Sequence, residues 1–129
     1  VVEDEPDAQA MLLHHLHAEE NVETRVADSG IRALQELASF VPDLILLDVR
    51  MPKMDGISFL KHLRREPLYE RIPVVVVTGE ELTVVERGEL ASRSLGIVAK
   101  GEGLEGAVHR ALVHAESVLD AEPRGRTAS

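Results

Sequence analysis

Five strand-like runs alternate with five stretches of helical spacing along this chain, and that alternation limits its fold more than any other feature. The runs are Val1-Val2, Thr24-Arg25-Val26-Ala27, Leu44-Ile45-Leu46-Leu47-Asp48, Val74 to Thr78 and Leu95 to Ala99. Leu44 to Leu47 and Val74 to Val77 are unbroken apolar segments. A strand without a polar side must be covered on both faces, which is the condition of a buried parallel sheet. Between the runs, Pro6 suits a first helical turn, and Ala8, Met11, Leu12 and Leu16 follow at helical spacing. Ser29 can cap a second helix carrying Ile31, Leu34, Leu37 and Ala38. Asp55 can cap a third with Ile57, Leu60 and Leu63, and Pro67 closes that region. Thr83 to about Arg93 reads as a fourth helix. Leu104 to about Glu122 reads as a fifth, with Val108, Leu112, Ala115 and Leu119 in line. The expected fold is α/β: a (βα)5 doubly wound, five-stranded parallel sheet with helices on both faces. One domain should span residues 1–122, and the polar segment 123–129 should be a disordered tail or linker.

Composition removes several function classes. Cysteine is absent, so disulfides and thiolate metal sites are excluded. The net charge of −9 repels phosphate backbones, so no nucleic-acid partner is expected. Phe40, Phe59 and Tyr69 are the only aromatic rings of their kind, too few for a base-stacking platform. No apolar run approaches the roughly 20 residues of a membrane span, so no direct membrane contact is expected. No targeting segment is visible, and a cytoplasmic location is the expectation.

Chemistry-bearing residues collect at the strand ends. Glu3-Asp4 follow the first run, Asp48 ends the third, Thr78 the fourth, and Lys100 follows the fifth. In a doubly wound sheet these tips converge on one crevice beyond the carboxyl ends of the strands. Clustered carboxylates repel one another, and a hard divalent cation relieves that repulsion. The lysine offers a point charge to a phosphoryl oxygen, and the threonine hydroxyl a donor. Metal, ammonium and hydroxyl around one carboxylate suit a phosphoryl group moving onto Asp48.

Val1-Val2-Glu3-Asp4-Glu5-Pro6, Asp43 to Asp48, Met51-Pro52-Lys53-Met54-Asp55-Gly56, Val77-Thr78-Gly79 and Lys100 resemble the receiver domain of two-component response regulators. The resemblance spans about residues 1–119. It implies a flavodoxin-like receiver fold and a phosphorelay role. Asp48 would accept a phosphoryl group from the phosphohistidine of a sensor histidine kinase or a histidine phosphotransfer domain. Mg²⁺ would be the cofactor, with Glu3 and Asp4 as the acidic pair, Asp48 beside them and the Arg50 backbone carbonyl as a further ligand. Thr78 and Lys100 would bind the acyl phosphate. The domain would be a signalling module and not an enzyme acting on other molecules. The segment Thr78-Gly79-Glu80-Glu81-Leu82-Thr83, Glu86-Arg87, Leu90 and Ile97 to Gly101 also resembles receivers at the carboxyl end of hybrid sensor histidine kinases.

Two positions depart from the family pattern. Gly101 stands where many receivers carry proline after the lysine, which frees that turn. Ile97 stands where the family usually has a switching Tyr or Phe, and an aliphatic side chain cannot swing a ring. Gly79, Glu80, Ile97 and Gly101 are therefore modulating positions, and an Arg50–Glu80 ion pair is expected at the mouth of the site. A degenerate receiver serving as a protein-binding scaffold is one alternative. An aspartate-nucleophile phosphatase of the haloacid dehalogenase type is another, but it wants a second Asp where Arg50 stands. His14, His15 and His17 read as a solvated helix face. The aligned stripe of the last helix reads as its core face, and its extension would allow a homodimer.

Overall fold

The computed structural model describes residues 1–19, 22–51, 54–79, 81–100 and 103–121. Helices and strands run in the order α1 (Pro6–His17), α2 (Gly30–Leu37), β1 (Ile45–Leu47), α3 (Gly56–Arg65), β2 (Val74–Thr78), α4 (Val84–Ala91), β3 (Gly96–Ala99) and α5 (Leu104–Ala121). The helix starts follow the expected capping chemistry. Pro6 stands in the first turn of α1. Ser29 Oγ accepts the Arg32 amide at 3.1 Å, and Asp55 Oδ1 accepts the Ser58 amide at 2.8 Å.

The three strands form a parallel sheet in the order β1-β2-β3, with Leu46 opposite Val75 and Val76 opposite Ile97. Val2 extends the same ladder, bridging Leu47 on one side and Ala27 on the other, both in parallel. Its amide donates to the Leu46 carbonyl at 2.8 Å, and its carbonyl accepts the Asp48 amide at 2.9 Å. Across the sheet the order is therefore Ala27, Val2, β1, β2, β3, which is a doubly wound arrangement.

The first two expected strands shrink to these single bridges. The first segment contributes one bridging residue, Val2, and the Glu3 amide still donates to the Ala27 carbonyl at 2.9 Å. The segment ending at Ala27 lies at the sheet margin with Val26 exposed, and it too pairs through one residue. The third strand runs from Ile45 to Leu47 and not from Leu44 to Asp48; the fifth begins at Gly96 and not at Leu95. The fourth helix starts at Val84, because Thr83 is its cap, and ends at Ala91. Glu80, Gly101, Glu122 and segment 123–129 lie outside the described residues.

Alternation along the strands builds two cores. Ile45, Leu47, Val74 and Val76 face α2, α3 and α4, where they meet Leu37, Phe59, Leu60, Leu63 and Leu90. Leu46, Val75 and Val77 face α1 and α5, where they meet Leu12, Leu16, Leu104 and Val108. Every residue of β2 is buried, as the apolar run Val74 to Val77 requires, and Thr78 at its end is buried too. Within the stripe of α5, Val108 and Ala115 are buried and Leu112 packs on the second core. Among the described residues, no helix is long and apolar enough to cross a membrane.

Candidate functional site

The residues that close or follow Val2, β1, β2 and β3 emerge at one end of the sheet, and backbone hydrogen bonds set their heights. The Asp48 amide donates to the Val2 carbonyl at 2.9 Å, so Asp48 stands beside the Glu3-Asp4 pair. The Lys100 amide donates to the Thr78 carbonyl at 2.9 Å, so lysine and threonine stand together on the other flank. The acidic pair is held from α1: the Gln9 side-chain amide donates to the Glu3 carbonyl at 2.7 Å, and Glu3 Oε2 accepts the Glu5 amide at 3.3 Å.

Carboxylate oxygens of Glu3, Asp4 and Asp48 all lie within 4.8 Å of one another. Lys100 Nζ is 2.5 Å from Glu3 Oε1 and 3.7 Å from Asp48 Oδ1. Glu3, Asp48 and Thr78 are buried, while Asp4 is open to solvent. The expected site residues Glu3, Asp4, Asp48, Thr78 and Lys100 are thus brought together. Lysine sits nearer the buried glutamate than the aspartate, which spacing along the chain did not foretell.

The electrostatics follow from burial and crowding. Burial pushes the Asp48 carboxyl up to about 6; the Glu3 charge adds to this and Lys100 opposes it. Burial alone would lower the Lys100 ammonium, but its hydrogen bond to Glu3 and the charges of Asp48 and Glu3 outweigh that and hold it above the usual lysine value. Lys100 is therefore cationic and Asp48 hovers near protonation. Glu3 Oε1 is buried, and the Lys100 ammonium is its ion-pair partner. Three adjacent carboxylates and a raised acid together fit a hard, oxygen-seeking cation.

The backbone after Asp48 is pressed against α3. A Cβ at Gly56 would stand 2.5 Å from the Asp48 carbonyl and 2.8 Å from Val49 Cα. The Gly56 amide donates to the Val49 carbonyl at 2.9 Å, so this approach needs a residue without a side chain. Gly79 lies against the aliphatic stem of Lys100, 3.4 Å from its Cδ to a Cβ built at that glycine. Ile97 is half-buried and packs on the core beneath α2, α3 and α4.

Arg50 makes a forked contact that the sequence reasoning missed. Its Nη1 donates to Glu86 Oε2 at 2.7 Å and its Nη2 to Glu86 Oε1 at 3.0 Å. Glu86 also accepts the Thr83 amide at 2.9 Å, and its own amide donates to Thr83 Oγ1 at 3.1 Å. That reciprocal capping box is written in the sequence as Thr83-x-x-Glu86 and could have marked Glu86 as a fixed side chain. The expected partner Glu80 lies outside the described residues. Glu86 is held below the usual carboxylate range by the Thr83 amide first and by Arg50 next. His17 Nε2 lies 3.2 Å from Thr24 Oγ1, away from this crevice.

A doubly wound sheet with an acidic crevice and a lysine at its carboxyl edge defines an α/β receiver-type signalling module. The sequence matches the response regulator receiver domain over residues 1–108, and the chain belongs to that family. It is 40% identical over 88 residues to the regulatory protein AtoC of Escherichia coli strain K12, covering 67% of this chain and 18% of that protein. It is 37% identical over 93 residues to the response regulator PleD of Caulobacter vibrioides, covering 68% of this chain and 20% of PleD. The chain thus spans about a fifth of the length of these relatives. Among solved structures, it is similar to the receiver domain of a signal transduction histidine kinase from Syntrophus aciditrophicus, with a TM-score of 0.78 and 26% identity over 95% of this chain and 91% of that one. The receiver of a Methanoculleus marisnigri response regulator aligns at a TM-score of 0.69 and 29% identity, over 95% of this chain and 94% of that one. The chain is accordingly a receiver domain of the two-component kind.

Proposed function

We propose that Asp48 is the phosphoacceptor of this receiver and that a sensor histidine kinase or a histidine phosphotransfer domain is its donor. One observation carries the reading: three carboxylates share a pocket of under 4.8 Å span with a lysine ammonium 3.7 Å from the Asp48 oxygen. Glu3, Asp4, Asp48 and the Arg50 carbonyl would hold Mg²⁺, which would neutralise the acids and the incoming phosphoryl oxygens. Asp48 then presents an anionic oxygen in line with the phosphorus. A bond forms from that oxygen to phosphorus as the bond to the donor imidazole breaks, and the electron pair leaves with the imidazole. Lys100, cationic throughout, takes a phosphoryl oxygen, and the Thr78 hydroxyl donates to another. The charge of the acceptor is thereby exchanged for a larger one that pulls on both side chains.

The downstream resemblance to hybrid kinases, and a similar receiver that belongs to a signal transduction histidine kinase, support a hybrid-kinase setting. A cytoplasmic location goes with such a partner. The test is intact-mass measurement after incubation with acetyl phosphate. The parent should gain one phosphoryl group with Mg²⁺ and none with chelator, and Asp48→Asn should gain none. An Asp48→Asn protein labelled as well as the parent would place the acceptor elsewhere.

A further inference from the structure

We propose that Glu86 is a positioning residue for the acceptor loop, acting through Arg50 on the backbone that would ligate the metal. The inference rests on the reading of Asp48 and its neighbours as a Mg²⁺ and phosphoryl site, and extends that site to α4. The argument starts from how the loop after Asp48 is held. On one side Gly56 of α3 approaches so closely that a methyl group would collide with the Asp48 carbonyl. On the other side the Arg50 guanidinium is gripped by both oxygens of Glu86. A planar fork meeting a carboxylate through two parallel bonds fixes orientation as well as distance. The residue whose carbonyl would ligate the metal is thus anchored by its own side chain.

Glu86 can serve as an anchor because it is itself immobilised. The Thr83 amide and hydroxyl bind it from both ends of the capping box. Thr83 closes the loop that leaves Thr78, so the fork ties together the two loops flanking the acceptor. It also spans from the crevice to the first turn of α4, where Val84 and Val85 are exposed. The aliphatic Ile97 offers no ring to carry a signal between these places. The Arg50–Glu86 fork supplies a direct polar connection between them, and by linkage the coupling it carries is reciprocal.

The experiment measures Mg²⁺ affinity of the unphosphorylated domain by titration calorimetry. Arg50→Ala and Glu86→Ala should each weaken Mg²⁺ binding by about three- to tenfold. The double variant should be no weaker than either single one, since both remove the same fork. Thr83→Ala removes a helix cap but keeps both the fork's four atoms and the residue-83 amide that holds Glu86 Oε1, so it should bind Mg²⁺ within about twofold of the parent. Equal affinity in the parent and the single variants would overturn the inference while leaving the site itself standing. A loss in Thr83→Ala matching that in Glu86→Ala would overturn it as well, by tracing the effect to helix stability. A parent that binds no Mg²⁺ would instead bring down the reading of the site, and the inference with it.

Discussion

Replacing Asp48 by Asn should stabilise the metal-free domain at neutral pH, although it would remove the proposed phosphoacceptor. The folded state raises this carboxyl from its ordinary 3.8 to about 6, chiefly through burial and the nearby Glu3 charge. At about 1.4 kcal/mol per pH unit, the anion is disfavoured by about 3 kcal/mol before screening. The crevice mouth is open to water beside Asp4, which reduces this to roughly 1.5 kcal/mol. The sign follows from proton linkage. A raised carboxyl holds its proton more tightly when folded, so its contribution is fully present below about pH 3.8. That contribution fades as pH rises through 6, and above 6 the folded state carries a strained anion. Asparagine has the same shape and no charge. In chelator at pH 7.5, Asp48→Asn should therefore melt higher than the parent by about 6 °C for a domain of this size, and the gap should close toward pH 4.5. Added Mg²⁺ should raise the parent's melting point and leave the variant nearly unmoved. Thermal melts at the two pH values, with and without metal, read all of this. A parent as stable as the variant at pH 7.5 in chelator, or a gap independent of pH, would refute the account of crowded carboxylates.

Other substitutions test other contacts. Gly56→Ala should cost about 1–3 kcal/mol in denaturant melts and slow labelling by acetyl phosphate, because its methyl group meets the Asp48 carbonyl at 2.5 Å. Lys100→Ala should bind Mg²⁺ more tightly than the parent, since it removes the cation competing for Glu3 and Asp48, yet should be phosphorylated more slowly; calorimetry and labelling rates separate the two effects. Phe59→Ala should destabilise by roughly 3–5 kcal/mol by leaving a cavity beneath β1 and α3, seen as a lower urea midpoint.

Much of the site was legible because its residues occupy strand ends. Glu3-Asp4, Asp48, Thr78 and Lys100 each border an apolar run, and parallel pairing carries such ends to one edge of a sheet. The capping residues Ser29 and Asp55 were legible for a similar reason, since a helix cap acts on amides only three residues away. The fork from Arg50 to Glu86 was not, because thirty-six positions separate the two and no local spacing relates them.

The alternation of runs by itself determined a parallel α/β sheet and which side chains reach its carboxyl edge, but it misplaced the buried face of α2, where Ile31 and Ala38 are exposed and Ala33 is buried. Those properties follow from periodicity, which is local to each segment. Tertiary structure alone decided that Val2 and Ala27 join the ladder by single bridges, that Lys100 leans on Glu3 before Asp48, and that Glu86 of α4 holds Arg50 in the loop after Asp48. These depend on lateral register and side-chain reach between segments distant in the chain, and the order of residues carries no direct measure of either.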